Sequence, residues 1–191
     1  MSRQHQSGFT LVELMIAVAV MVILTVLAVP SFTTYLDKSR VRGAADDIVN
    51  LMAQARQAGV KFDRGVRVSD VAGSGAWCLG ANQAVVPGVL DPTPAPAACD
   101  CTKGSECIVD GQRLIVSSTD HQGVTLSSPP GDIDFDGRLG IRSDASVTDA
   151  DASSFDLTSR SGRFVLTVAV SPLGQAVVCS KQGNILGYPT C

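Results

Sequence analysis

Three groups of residues have the types and spacing to do chemistry: six cysteines, a run of alternating aspartates, and one glutamate set in an apolar stretch. The cysteines stand at positions 78, 99, 101, 107, 179 and 191, all beyond that apolar stretch. Thiolates can hold zinc, and Cys99, Cys101 and Cys107 are crowded enough to suggest part of such a site. Their loop is rich in Pro, Ala and Gly and has no histidine nearby, so disulfides are expected and no metal. An even cysteine count in a domain that follows an export signal points to an oxidising compartment. Cys179–Cys191 is the favoured pair, tying the C-terminal loop to the strand before it; a ring of about 13 residues contributes about 3 kcal/mol. For Cys78, Cys99, Cys101 and Cys107 the pairing stays open.

Asp132, Asp134 and Asp136, followed by Gly137, have the opening spacing of a calcium loop. The twelfth position, where a bidentate glutamate belongs, is Ser143. The same alternation places Ile133 and Phe135 on one face of a strand and the aspartates on the other. A solvated strand edge is therefore expected. His5 lies at the extreme N-terminus and His121 stands isolated in a turn-like segment, which reads as surface. No nucleophile elbow, zinc-binding helix motif or phosphate-cradling glycine loop occurs. Neither an enzyme nor a cofactor is expected.

Glu13 is the only charge between Phe9 and Val29. That stretch spans about 31 Å as a helix, the thickness of a bilayer's hydrocarbon core. No small-residue cleavage site follows it, so the segment reads as a retained anchor. Arg3 on one side and the cysteines on the other orient the N-terminus toward the cytoplasm. Pro30 sits at the end of the apolar run and is the expected position of a kink.

Positioning these residues calls for two kinds of element. Over residues 31–58, Phe32, Tyr35, Leu36, Val41, Ala44, Ala45, Ile48, Met52 and Ala55 recur every three or four positions, one apolar helical face ending near Gly59. Beyond it, residues 60–71 read as a strand pair, and 77–79, 112–117, 123–127, 133–135, 155–157, 163–170 and 175–179 as strands split by turn residues. The fold class is α+β: a long N-terminal helix packed on an antiparallel β-sheet or sandwich domain. The expected organisation is a leader over 1–8, a membrane helix over 9–30, an amphipathic helix over 31–59 and a β-rich domain over 60–191. A net charge of −3 gives no whole-molecule field for nucleic acid.

The stretch Gly8-Phe9-Thr10-Leu11-Val12-Glu13-Leu14 resembles the signature of type IV prepilins and type II secretion pseudopilins. The resemblance implies cleavage by prepilin peptidase between Gly8 and Phe9, N-methylation of Phe9, and a role for Glu13 in assembly. The later part is similar to the GspH/FimT group, especially FimU-like minor pilins. It carries Trp77-Cys78-Leu79-Gly80, Phe135-Asp136-Gly137-Arg138, Pro172 to Cys179 and Gly187-Tyr188-Pro189-Thr190-Cys191. The implied role is a minor pilin that initiates or caps a pilus, anchored in a Gram-negative inner membrane and partnered by other minor and major pilins. A secretion pseudopilin and a DNA-uptake receptor are the alternatives. The receptors' Gly-Arg-x-Arg stretch corresponds here to Gly174-Gln175-Ala176-Val177, without arginine, so no nucleic acid is expected.

Overall fold

The computed structural model describes residues 9–73, 76–84, 96–127, 131–143 and 153–191. It divides into two compact units, one ending at Leu36 and the other running Asp37–Cys191. One helix, α1 (Leu11–Phe62), passes through both. Strands pair antiparallel throughout the described residues, so the class is α+β with a sheet domain C-terminal to a long helix.

Within the second unit, α1 buries Val41, Ala44, Ala45, Ile48, Leu51, Met52 and Ala55, the spacing of one helical face. Three alanines keep the backbone close to the sheets. Phe32 and Tyr35, expected to begin this stripe, are 62% and 67% exposed. The helical period continues through them, but their side chains are not in the core; burial begins at Val41.

The helix also continues past Gly59. Asp63 stops it: with φ at 49° it adopts the left-handed conformation that closes a Schellman motif. The Arg64 N–H reaches the Gly59 carbonyl at 3.1 Å and the Asp63 N–H the Val60 carbonyl at 3.5 Å. Residues 60–62, expected as strand, are therefore the last helical turn. Asp63→Gly removes a left-handed cost of about 1 kcal/mol, less what the extra freedom of glycine gives back. A rise of the thermal midpoint by a degree or more is the expected result, measured by circular dichroism.

One sheet has the spatial order β5 (Ile115–Ser117), β2 (Trp77–Gln83), β1 (Val66–Ala72), β7 (Ile133–Phe135). The other has the order β10 (Ala176–Gln182), β9 (Val165–Val170), β8 (Ser153–Thr158), β6 (Thr125–Ser127). A short hairpin, β3 (Ile108–Val109) with β4 (Gln112–Arg113), stands apart; β3 was not legible in the sequence pattern. Pairing of Val66 with Phe135 and Val68 with Ile133 puts four apolar side chains on one face of the first sheet. Phe155, Leu157, Leu166, Val168 and Val170 supply the second sheet, and both join the helix stripe in one buried core.

Candidate functional site

The N-terminal unit is built around the start of α1. Thr10 is its cap: the side-chain Oγ1 accepts the Glu13 N–H at 3.3 Å, and its carbonyl accepts the Leu14 N–H at 3.2 Å. Thr10-Leu11-Val12-Glu13 has the spacing of a capping box, a signal written in the sequence itself. Phe9 lies just outside the helix and is 83% exposed. Glu13 sits in the first turn, where the positive end of the helix dipole favours a carboxylate.

Every side chain described from Phe9 to Val29 is exposed. Thr25 is the polar exception beyond Glu13, and its hydroxyl donates back to the carbonyls of Met21 and of Val22, the latter at 3.2 Å. Its hydrogen bonding is thereby met within the helix, as a hydrocarbon setting demands. Among the described residues α1 is the one helix long and apolar enough to cross a membrane. The helix is continuous through Pro30, which has no N–H to offer the Val26 carbonyl. Arg3, His5, Gly8 and the other residues of 1–8 lie outside the described residues.

The cysteines are joined as Cys78–Cys101, Cys99–Cys107 and Cys179–Cys191. The first two form a buried cluster with Val71 and Ile115, laid on β2. The third ties the chain end to β10, where the Ser180 N–H donates to the Pro189 carbonyl at 2.7 Å.

The aspartate run is engaged internally. Arg67 donates to both oxygens of Asp134, at 2.6 and 2.7 Å, and lies 3.4 Å from Asp132. Asp136 Oδ2 accepts the N–H groups of Arg138 and Leu139, fixing the turn after β7. A Cβ on Gly137 would meet the Arg64 backbone nitrogen at 2.5 Å, so glycine there serves packing. Asp70 stands nearby, its carboxyl raised above the ordinary value first by burial and then by Asp132.

His121 corrects its surface reading. Its side chain is 11% exposed, stacked parallel to Trp77 with ring centroids 6.4 Å apart. Nε2 lies 3.0 Å from Asp47 Oδ2, off the line of a hydrogen bond. Trp77 in turn donates Nε1–H to the Val124 carbonyl at 2.8 Å, anchoring that turn. These contacts account for the histidine as part of the packing between α1 and the turn.

Arg142 is buried and donates to the Val170 carbonyl at 3.1 Å. Asp156 accepts from Thr167 and from Lys181, both at 2.6 Å. Burial raises the Asp156 carboxyl, but those two donors outweigh it and hold it below the ordinary value. Gly174 and Gln175 lie in the turn before β10, and Ala176 and Val177 begin that strand. Asp144, Asp149 and Asp151 fall outside the described residues.

Comparison with known families gives one finding. The family model for the prokaryotic N-terminal methylation motif matches residues 3–29, which include the apolar start of α1. No curated protein and no solved structure matches the chain. The chain therefore carries a pilin-type N-terminal signal on an α+β body, which supports a type IV pilin-like or pseudopilin protein.

Proposed function

We propose that this protein is a minor pilin, a structural subunit that initiates or caps a type IV pilus. One observation carries the reading: a methylation motif over 3–29 continues into a helix whose described apolar side chains are all exposed. A membrane shelters such a surface before assembly, and neighbouring helices shelter it afterwards. Cleavage between Gly8 and Phe9 by prepilin peptidase would leave an amine, N-methylated, just before the Thr10 cap. That amine suits the Glu13 carboxylate of an adjacent subunit. Pro30 serves as the kink that lets the helix adapt between bilayer and bundle. The Gram-negative inner membrane, with the N-terminus cytoplasmic, is the starting location.

A pseudopilin of a type II secretion system would use the same signal. Three disulfides in the second unit favour the pilus, whose subunits leave the cell and its repair machinery. The GspH/FimT placement, FimU-like in particular, rests on the loose motifs of the second unit. A DNA-uptake role has less support, since Gly174 to Val177 lacks the paired arginines.

Mass spectrometry of sheared filaments tests the reading. The expected chain begins at methylated Phe9, in amounts well below the major subunit. Recovery of an intact Met1 from filaments, or of the chain only in a secretion complex, contradicts it.

A further inference from the structure

The second unit begins with cations that the pilin reading leaves without a task. Lys38, Arg40 and Arg42 lie in its first six residues, and Arg160 and Arg163 lie in the turn between β8 and β9. The fold brings the two groups to one end of the unit. The Lys38 Nζ and the Arg163 guanidinium both lie against the Phe164 ring, 4.9 and 5.7 Å from its centroid. The turn is held rigidly: the Ser159 N–H donates to the Phe164 carbonyl at 2.9 Å, and the Phe164 N–H to Ser159 Oγ at 3.2 Å. Arg160 leans on the neighbouring 121–124 turn, its Cβ 3.1 Å from where a side chain on Gly123 would start. Arg42 lies over Tyr188, 5.6 Å from the ring centroid.

The nearby acids are mostly engaged elsewhere. Asp46 accepts the Tyr188 hydroxyl at 2.7 Å, Asp47 faces His121 at 3.0 Å, and Asp156 holds Lys181 at 2.6 Å. Asp37 is the remaining carboxylate on that stretch of helix. Among the described residues, Lys38, Arg40 and Arg160 have no carboxylate partner within ion-pair distance, so charge is in excess at this end.

From these contacts we infer that this end of the second unit docks on anionic phospholipid headgroups of the leaflet that the apolar helix enters. Such docking rests on the membrane-anchor part of the proposed function, and on chain reach. Lys38 lies nine positions beyond Val29, about 14 Å as helix. Whatever angle the two units adopt, a long cationic side chain at 38–42 remains within about a Debye length, roughly 8–10 Å, of the headgroup zone. Between them stand Phe32 and Tyr35, both exposed, the residue types that settle at a membrane interface. The docking would hold the unassembled subunit against the bilayer and be released on extraction into a filament.

Full-length protein in nanodiscs of equal parts phosphatidylglycerol and phosphatidylcholine tests this, with a photo-crosslinking amino acid replacing exposed Ser161. Each cation near the surface concentrates anionic lipid about fivefold. Adducts should therefore favour phosphatidylglycerol at least about fivefold, and the preference should fall by about fivefold or more in Lys38→Gln/Arg160→Gln. Intact mass showing three closed disulfides confirms that this variant is folded. Parity in the parent protein overturns the inference, as does adduct formation with an added DNA duplex in place of lipid. Failure to recover the chain in the disc fraction overturns the anchor reading itself, a separate and visible outcome.

Discussion

Gly80→Val yields protein with unpaired thiols and a sharply lower thermal midpoint, whereas Gly104→Val behaves as the parent. Both glycines sit within the disulfide-bearing region, and both substitutions add the same β-branched side chain. They differ in what the new Cβ meets. At Gly80, on β2, it would lie 2.3 Å from Cys107 Sγ and 3.1 Å from Cys101 Cβ, so both disulfides of the cluster are obstructed. At Gly104 nothing lies within 4 Å. Overpacking of a built core costs about 1–3 kcal/mol. Each ring left open removes up to about 3 kcal/mol more. Against a total stability of about 5–15 kcal/mol, the loss is large enough to unfold much of the population at physiological temperature. Cys107 sharpens the effect. Its backbone φ of 61° is one that only a constrained non-glycine residue keeps, and the disulfide supplies the constraint. Thiol titration under denaturing conditions, with thermal unfolding, reads the outcome. Complete oxidation of Gly80→Val and a melt matching Gly104→Val would mean that the cluster does not rest on β2 as described.

How far the fold could be read from residues depended on the range of the interaction. The apolar run from Phe9, its lone glutamate and the stripe from Val41 to Ala55 are written in periodicity, and the helix follows it. Most strands were legible from alternation between turn residues, because Val165 to Val170 or Ile133 to Phe135 bury one face. Failures came where a distant contact decides. Gly59 looked like a stop, but Asp63 closes the helix, and a non-glycine residue at positive φ leaves little trace in a pattern. His121 looked like surface because its partners, Trp77 and Asp47, are 44 and 74 positions away. The edge strand expected for the aspartates at 132 and 134 is there, and only their partner lay beyond the pattern, because Arg67, which engages them, sits on another strand. The crossed rings Cys78–Cys101 and Cys99–Cys107 needed the position of β2 beneath the loop. The functional signal was the opposite case. It is local and linear, and the missed Thr10 cap belongs to it and was there to be found.

Glu13→Ala lowers recovery of this subunit in sheared filaments by a factor of ten or more while leaving its membrane level unchanged. The asymmetry follows from where the carboxylate stands. In a single chain within a bilayer, Glu13 is a liability, since an acidic side chain at mid-helix costs about 2.5–3.5 kcal/mol on insertion scales. Its place in the first turn softens that cost through the helix dipole by roughly 0.3–1 kcal/mol. Alanine therefore inserts at least as well, and the second unit, whose core begins at Val41, keeps its stability. In a filament the balance reverses. On the proposed reading each Phe9 amine freed by processing would be a cation entering the same apolar bundle, and removing one member of a desolvated charge pair costs about 2–5 kcal/mol. That range corresponds to a loss of about thirtyfold or more, beyond what a cap alone explains. Thr10→Ala separates the two effects: it removes the side chain that accepts the Glu13 N–H, at about 1 kcal/mol, and keeps the charge, so it should reduce incorporation far less. Glu13→Gln retains shape and hydrogen bonding without charge and should fall with alanine if charge pairing governs assembly. Equal incorporation of Glu13→Ala and the parent would show that the carboxylate is carried for another purpose. A Glu13→Gln variant as competent as the parent would assign the role to hydrogen bonding instead.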